Sequence, residues 1–144
     1  MKRAELDAIL TTMLEVAPGI SDINFTCGRP PQVEAFGVLK VADVPPHVPK
    51  LTAFQTERIA LNIIGGEKRL LRELATKGSC DCAYMVSDRL RFRVNIFRQR
   101  GHIAIVMRKA QTEVPTIQGM NLPPIFKEVA KEKTGLILDR KSVV

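Results

Sequence analysis

The chain has 144 residues, 45% of them hydrophobic, with a mean hydropathy of +0.01, a pI near 9.7 and a formal net charge of +7. That size suits one compact domain, or one domain and the start of another, and the composition excludes a disordered chain. Apolar runs of only a few residues exclude a transmembrane helix, and the basic balance points to an anionic partner: nucleic acid, acidic lipid or nucleotide phosphate.

Leu6, Ile9, Leu10, Met13 and Ala17 recur at helical spacing and predict an amphipathic helix of about four turns, ended by Pro18-Gly19. Glu5 and Asp7 interrupt any signal-peptide core after Met1-Lys2-Arg3, which predicts a cytosolic protein. Residues 23–26 read as a strand and Gly28-Arg29-Pro30-Pro31 as a turn. Residues 33–41, broken at Gly37, read as two short strands around a bend. Residues 43–49 hold three prolines and form an exposed connection. Thr52 and Gln55 fit a capping box, in which each side chain satisfies a free N–H at a helix start. The helix they open carries Phe54, Ile59, Leu61, Ile63 and Ile64 and stops at Gly65-Gly66. A second short helix carries Leu70, Leu71 and Leu74, with Glu73 and Lys77 one turn apart and Gly78 as a left-handed cap.

Three antiparallel strands are predicted next, at residues 81–86, 90–97 and 102–108, with turns at 87–88 and 98–101. Cys80 and Cys82 would share one strand face as buried free thiols, Cys27 leaves the count odd, and His47 and His102 add too little for a metal set. Residues 111–118, with Pro115, read as a linker. Residues 122–133 then form a short helix entered through Pro123-Pro124, and residues 135–138 a buried strand. The expected architecture is therefore α+β: an antiparallel sheet with helices packed on one face over residues 1–110, then the unfinished start of an α/β domain over residues 119–144.

The positive charge is concentrated. Arg89, Arg91, Arg93, Arg98, Arg100, Arg108 and Lys109 stand against one acid, Asp88, and hold nearly the whole net charge of +7. Leu90, Phe92, Val94 and Ile96 alternate with Arg89, Arg91, Arg93 and Asn95, so apolar and cationic groups take opposite faces of one strand. Guanidinium is permanently charged and presents a planar fork of donors that fits phosphate oxygens. Such a crowd of like charges should repel itself unless an anion or partner is near.

Four segments resemble the secretion-type hexameric ATPases, and among them the type IV pilus retraction (twitching-motility) motors. Residues 21–31 resemble the family's Ser-Asp-Ile/Leu-His … Gly-x-Pro-Pro hairpin, and Gly37-x-Leu39 its Asp-Gly-x-Leu turn. Arg91-Phe-Arg-Val-Asn-Ile-Phe97, continued by Gln99-Arg100-Gly101, resembles its Arg-Phe-Arg-Val-Asn-x-Phe strand, in wording closer to the retraction than to the extension motors. Met120-Asn-Leu-Pro-Pro-Ile-Phe126 and Gly135-Leu-Ile-Leu138 resemble the entry into the ATPase domain.

The resemblance implies a PAS-like N-terminal domain followed by the start of a P-loop domain. It also implies ATP and Mg2+ as cofactors of the complete motor, a homo-hexamer, and a place at the cytoplasmic base of the pilus machinery on the inner membrane. The partner it implies is the P-loop domain of the same or a neighbouring subunit. It assigns Arg93 and Arg108 as nucleotide-phosphate sensors, with Arg98 and Arg100 as second choices; Arg89 and Arg91 are solvated or at a subunit interface. The family's Gly-rich phosphate loop should follow Leu138, but residues 139–144 read Asp-Arg-Lys-Ser-Val-Val, with no glycine before Lys141-Ser142. The expectations are a truncated or foreign tail, no ATP hydrolysis by this chain alone and no tightly bound cofactor. A natural P-loop-less regulatory subunit is the alternative. A nucleic-acid module is a rival reading, disfavoured because Phe97 is the one aromatic beside the arginines; a PAS-type small-molecule sensor would need a cavity and a polar group aimed into it.

Overall fold

A computed structural model describes residues 2–111 and 116–136. Its first helix, α1 (Arg3–Glu15), buries Leu6, Leu10 and Met13, the stripe that the helical spacing marks. The meander follows as β1 (Ile20–Thr26), β2 (Gln32–Ala35) and β3 (Val38–Val41). The Thr52–Gln55 capping box forms in full and opens α2 (Ala53–Ile64), which Gly65 closes in the left-handed conformation. Next come α3 (Lys68–Lys77), capped by left-handed Gly78, and the strands β4 (Ser79–Ser87), β5 (Leu90–Gln99) and β6 (His102–Lys109).

The six strands form one antiparallel sheet in the order β3-β2-β1-β6-β5-β4. The two meanders therefore join through β1 and β6, with Phe25 opposite Ile105 and Ile23 opposite Met107. Alternation sends Ile23, Phe25, Val33, Tyr84, Phe92, Val94, Ile96, Ile105 and Met107 to one face, all at or below 3% exposure. These residues meet the buried stripes of the three helices in one hydrophobic cluster. The fold class is thus the α+β sheet with helices that the residue pattern predicts. Tyr84 ties α1 to β4, donating its hydroxyl to Asp7 Oδ1 at 2.7 Å, with the Arg3 guanidinium over its ring.

Several local expectations are corrected. Of the apolar residues expected on α2, Ile59, Ile63 and Ile64 are buried with Thr56 and Ala60 on one face, whereas Phe54 and Leu61 are exposed. Cys80 is buried but Cys82 is only partly so. The helix expected over 122–133 is five residues long, α4 (Ile125–Val129), and buries no side chain. Without a packed face a helix of that length has little to hold it. β3 is the outer strand next to β2, and Val38, Leu39 and Val41 on it are more than half exposed.

By packing, the chain divides into two units, Met1–Thr112 and Glu113–Val144. In the second unit, residues 116–122 are turns stitched by backbone bonds such as Met120 N–H to Thr116 C=O at 3.0 Å. Most of the linker's middle, the end of the 135–138 strand and the 139–144 tail lie outside the described residues. Among the described residues no helix is long and apolar enough to cross a membrane.

Candidate anion-binding site

The arginine ladder lies on the sheet face turned away from the helices. Cross-strand partners share a face, and the pairings Ala83–Arg93, Arg93–Arg108, Arg108–Asp22, Asp22–Glu34 and Glu34–Leu39 run in one line from β4 to β3. The row is cation, cation, carboxylate, carboxylate at its centre. Like charges directly opposite repel, and here the second arginine is relieved from its other side. Arg108 Nε donates to Asp22 Oδ1 at 2.9 Å; the Asp22 side chain is 6% exposed and that of Arg108 71%.

Arg93 is exposed and, among the described residues, has no hydrogen-bond or ion-pair partner. Its surroundings are a shallow depression of about 470 Å³ lined by Asp22, Asp81, Asn95, Val106 and Arg108 among others. Both acids there are engaged internally: Asp22 by Arg108, and Asp81 by Asn95 Nδ2 at 2.9 Å. Two guanidinium groups at adjacent strand positions, with their nearest acids already committed, make a site for an oxyanion that arrives from outside.

The four arginines proposed as sensors separate into two places. Arg93 and Arg108 face each other directly. Arg98 pairs with Ile103, so its side chain has the opposite parity, and it lies five residues along β5 from Arg93, about 17 Å at the usual strand rise. Arg100 sits in the hairpin turn with φ +51. One phosphate group cannot serve both places. Arg91 shares the open face with Arg93, opposite Met85.

The expectation that only Asp88 could balance the arginines is corrected by Asp22. It is a strand residue with no helical or turn signal, and its role emerges only from the β1–β6 pairing. Among the described residues no group of three His, Cys, Asp or Glu could hold a metal ion. Neither thiol of β4 is poised for chemistry: burial raises the Cys80 thiol and pushes Cys82 up to about 11.

On the helix side, a groove of about 540 Å³ runs between α1, α2 and the 43–51 connection, lined chiefly by Leu6, Ile9, Val44, Val48, Leu51 and Phe54. Two of its polar groups, Thr52 and Gln55, bond to each other in the capping box. On the open face the nearest aromatic, Phe97, is half-buried opposite Ala104, which leaves no stacking platform for bases.

No protein-family model matches the chain. Among curated proteins, PilU of Pseudomonas aeruginosa, a type IV pilus ATPase, is 33% identical over 135 residues, which are 93% of this chain and 33% of PilU. The type IV pilus retraction ATPase PilT of the same organism is 27% identical over 120 residues, 83% of this chain and 33% of PilT. The chain thus spans about a third of the length of these relatives. Among solved structures, the pilus retraction motor PilT with bound ADP superposes with a TM-score of 0.74 at 30% identity, over 94% of this chain and 36% of that one. The ATPase DotB of Legionella pneumophila does so with a TM-score of 0.60 at 25% identity, over 94% and 36%.

Proposed function

We propose, because this chain is a homologue of the N-terminal part of the type IV pilus ATPases, that it is the N-terminal domain of a hexameric, ATP-driven motor for pilus retraction. In this reading it is PAS-like and cytoplasmic, sits at the inner-membrane base of the pilus machinery, and works against a P-loop domain of its own or a neighbouring subunit. Arg93 and Arg108 are its phosphate-sensing residues. ATP supplies the phosphoryl group and its Mg2+ belongs to the P-loop domain; no residue of this chain is assigned to the metal.

The observation that carries the proposal is the direct opposition of Arg93 and Arg108 on one open sheet face, with Asp22 holding the second. Asp22 fixes one guanidinium through Nε, which leaves its outer nitrogens available to a phosphate. Arg93 supplies a second, uncommitted fork at the next strand. Arginines brought to a transferring phosphoryl group from outside its binding loop are worth about 10³–10⁵ in rate. Cations on a separate body also provide contacts that differ between nucleotide states, as a motor requires. Arg98 and Arg100 remain second choices; their distance from Arg93 along β5 favours the Arg93–Arg108 pair as the partners of one phosphate.

The test joins this chain to a P-loop ATPase domain, natural or taken from a relative, and measures turnover and ring assembly. Arg93→Gln and Arg108→Gln are each expected to lower ATP turnover at least tenfold while hexamers persist on light scattering. Full turnover in both variants would remove the sensor role.

A further inference from the structure

A second cluster of nitrogen donors, two of them arginines, sits at the other end of the open face, and the sensor pair does not use it. Arg29, Arg100 and His102 line one small cavity of about 230 Å³, together with Thr26, Gln99 and Ala104. No carboxylate lines it, and among the described residues neither Arg29 nor Arg100 has an ion-pair partner. His102 and Arg108 share the face but lie six residues apart on β6, about 20 Å, and between them a depression of about 540 Å³ is lined by Arg29 from one cluster and by Arg108, Asp22 and Glu34 from the other.

The cluster is assembled from three places and each is anchored. Arg29 stands in the loop after β1, where its N–H donates to Thr26 C=O at 3.2 Å and its C=O accepts from Leu51 N–H at 2.8 Å. The neighbouring Gly28 N–H bonds Leu51 C=O at 2.7 Å, so the loop is pinned to the chain that leads into α2. Arg100 and Gly101, at φ +51 and +82, form a two-residue hairpin between the paired Gln99 and His102. That turn ordinarily takes Asn or Asp followed by Gly. A long cationic side chain held there in a left-handed backbone is a local strain of the kind that collects at binding sites.

We infer that Arg29, Arg100 and His102 form a second anion site that takes a single phosphate group. Two guanidinium forks and an imidazole supply N–H donors, and Thr26 and Gln99 lie on the same wall. The cavity is below the usual range of about 300–1,000 Å³ for drug-sized ligands, so it admits a phosphate and leaves the rest of any larger molecule outside. The phosphate is either a free ion or the end group of a nucleotide or an anionic lipid; the site reads the chemistry they share.

The test is a titration of the 144-residue chain with inorganic phosphate at constant ionic strength, followed by the backbone amide NMR signals. Saturable shifts are expected at Thr26, Gln99, Arg100 and His102. Arg29→Gln and Arg100→Asn should each weaken the apparent Kd at least fivefold, the second while keeping a residue suited to the turn, and Arg72→Gln, at an exposed cation on α3, should leave it unchanged. Parallel titrations with ATP and with phosphatidic acid vesicles identify the carrier: shifts at these amides with either support the site and name its source, and shifts with inorganic phosphate alone support a free ion. Linear, unsaturable shifts, shifts centred on Arg93 and Arg108, or equal shifts with acetate would overturn the inference.

Discussion

Asp22 holds Arg108 through Nε at 2.9 Å across 86 residues of sequence, from beneath a guanidinium that is itself mostly in solvent. The buried partner sets the geometry and the exposed one faces outward. A hydrogen bond to a charged group contributes about 1.5–3 kcal/mol, reduced here by the exposure of Arg108, so a double-mutant cycle on Asp22→Asn and Arg108→Gln should return a coupling of about 1 kcal/mol in urea unfolding. A coupling within error of zero would mean that the pair positions nothing.

Alkaline pH should destabilise the fold. Burial pushes Cys82 up to about 11, and burial together with the bond to Asp7 pushes Tyr84 up to about 12. Both groups are neutral when folded, and the unfolded chain loses these protons first, from about pH 9 and 10. Their contribution is therefore complete below pH 9 and is lost as the pH rises toward 12. With allowance for the partial exposure of Cys82, the loss at pH 11 is about 2 kcal/mol. Urea midpoints measured from pH 8 to 11 should fall accordingly, and the double variant Cys82→Ala, Tyr84→Phe should flatten the fall. A midpoint constant across that range in the unaltered chain would contradict the assignment.

The β2–β3 hairpin makes a third case. Phe36 occupies the turn at φ +52, next to Gly37 at +77, and its ring lies against Gly19 at φ +69. A Cβ on Gly19 would overlap the tip of that ring. Gly19→Ala is expected to cost about 2 kcal/mol, from the left-handed backbone and the collision together. With Phe36→Asn already present, the same change should cost about 1 kcal/mol less, because only the backbone part remains. Equal costs in the two backgrounds would show that the ring gives way freely.

The capping box adds a simpler measurement. Thr52 Oγ1 accepts from the Gln55 N–H at 3.2 Å and Gln55 Oε1 accepts from the Thr52 N–H at 2.8 Å. Thr52→Ala should lower stability by about 1 kcal/mol in thermal or urea unfolding, with the sheet pairings unchanged by NMR.

The features legible in the sequence are those written in local periods. Alternation along residues 90–96 assigns Phe92, Val94 and Ile96 to the core and Arg91 and Arg93 to solvent, as observed. Gly65 and Gly78 mark helix ends because few other residues accept left-handed backbone at low cost. Long-range pairing has no such period. That Asp22 reaches Arg108, or that Arg29 joins Arg100 and His102, follows from β1 lying beside β6, which no neighbour in the chain announces. Distance along a strand is likewise not written in sequence proximity: Arg98 is five residues from Arg93, about 17 Å of extended chain. The helix expected over 122–133 is shorter for a different reason: Pro123-Pro124 mark its start, but α4 has no buried side chain to extend it.

The outermost strand has a practical corollary. β3 presents Val38, Leu39 and Val41 beside a row of unpaired main-chain groups, and Lys40 is its only charge. Such a rim is a template for adding another strand, and the net charge of +7 on each copy opposes the approach of two rims. Ions weaken that repulsion over about 8 Å at physiological strength. Solutions of this chain will therefore tolerate concentration best in dilute salt, and turbidity on adding sodium chloride will mark the point where rim meets rim.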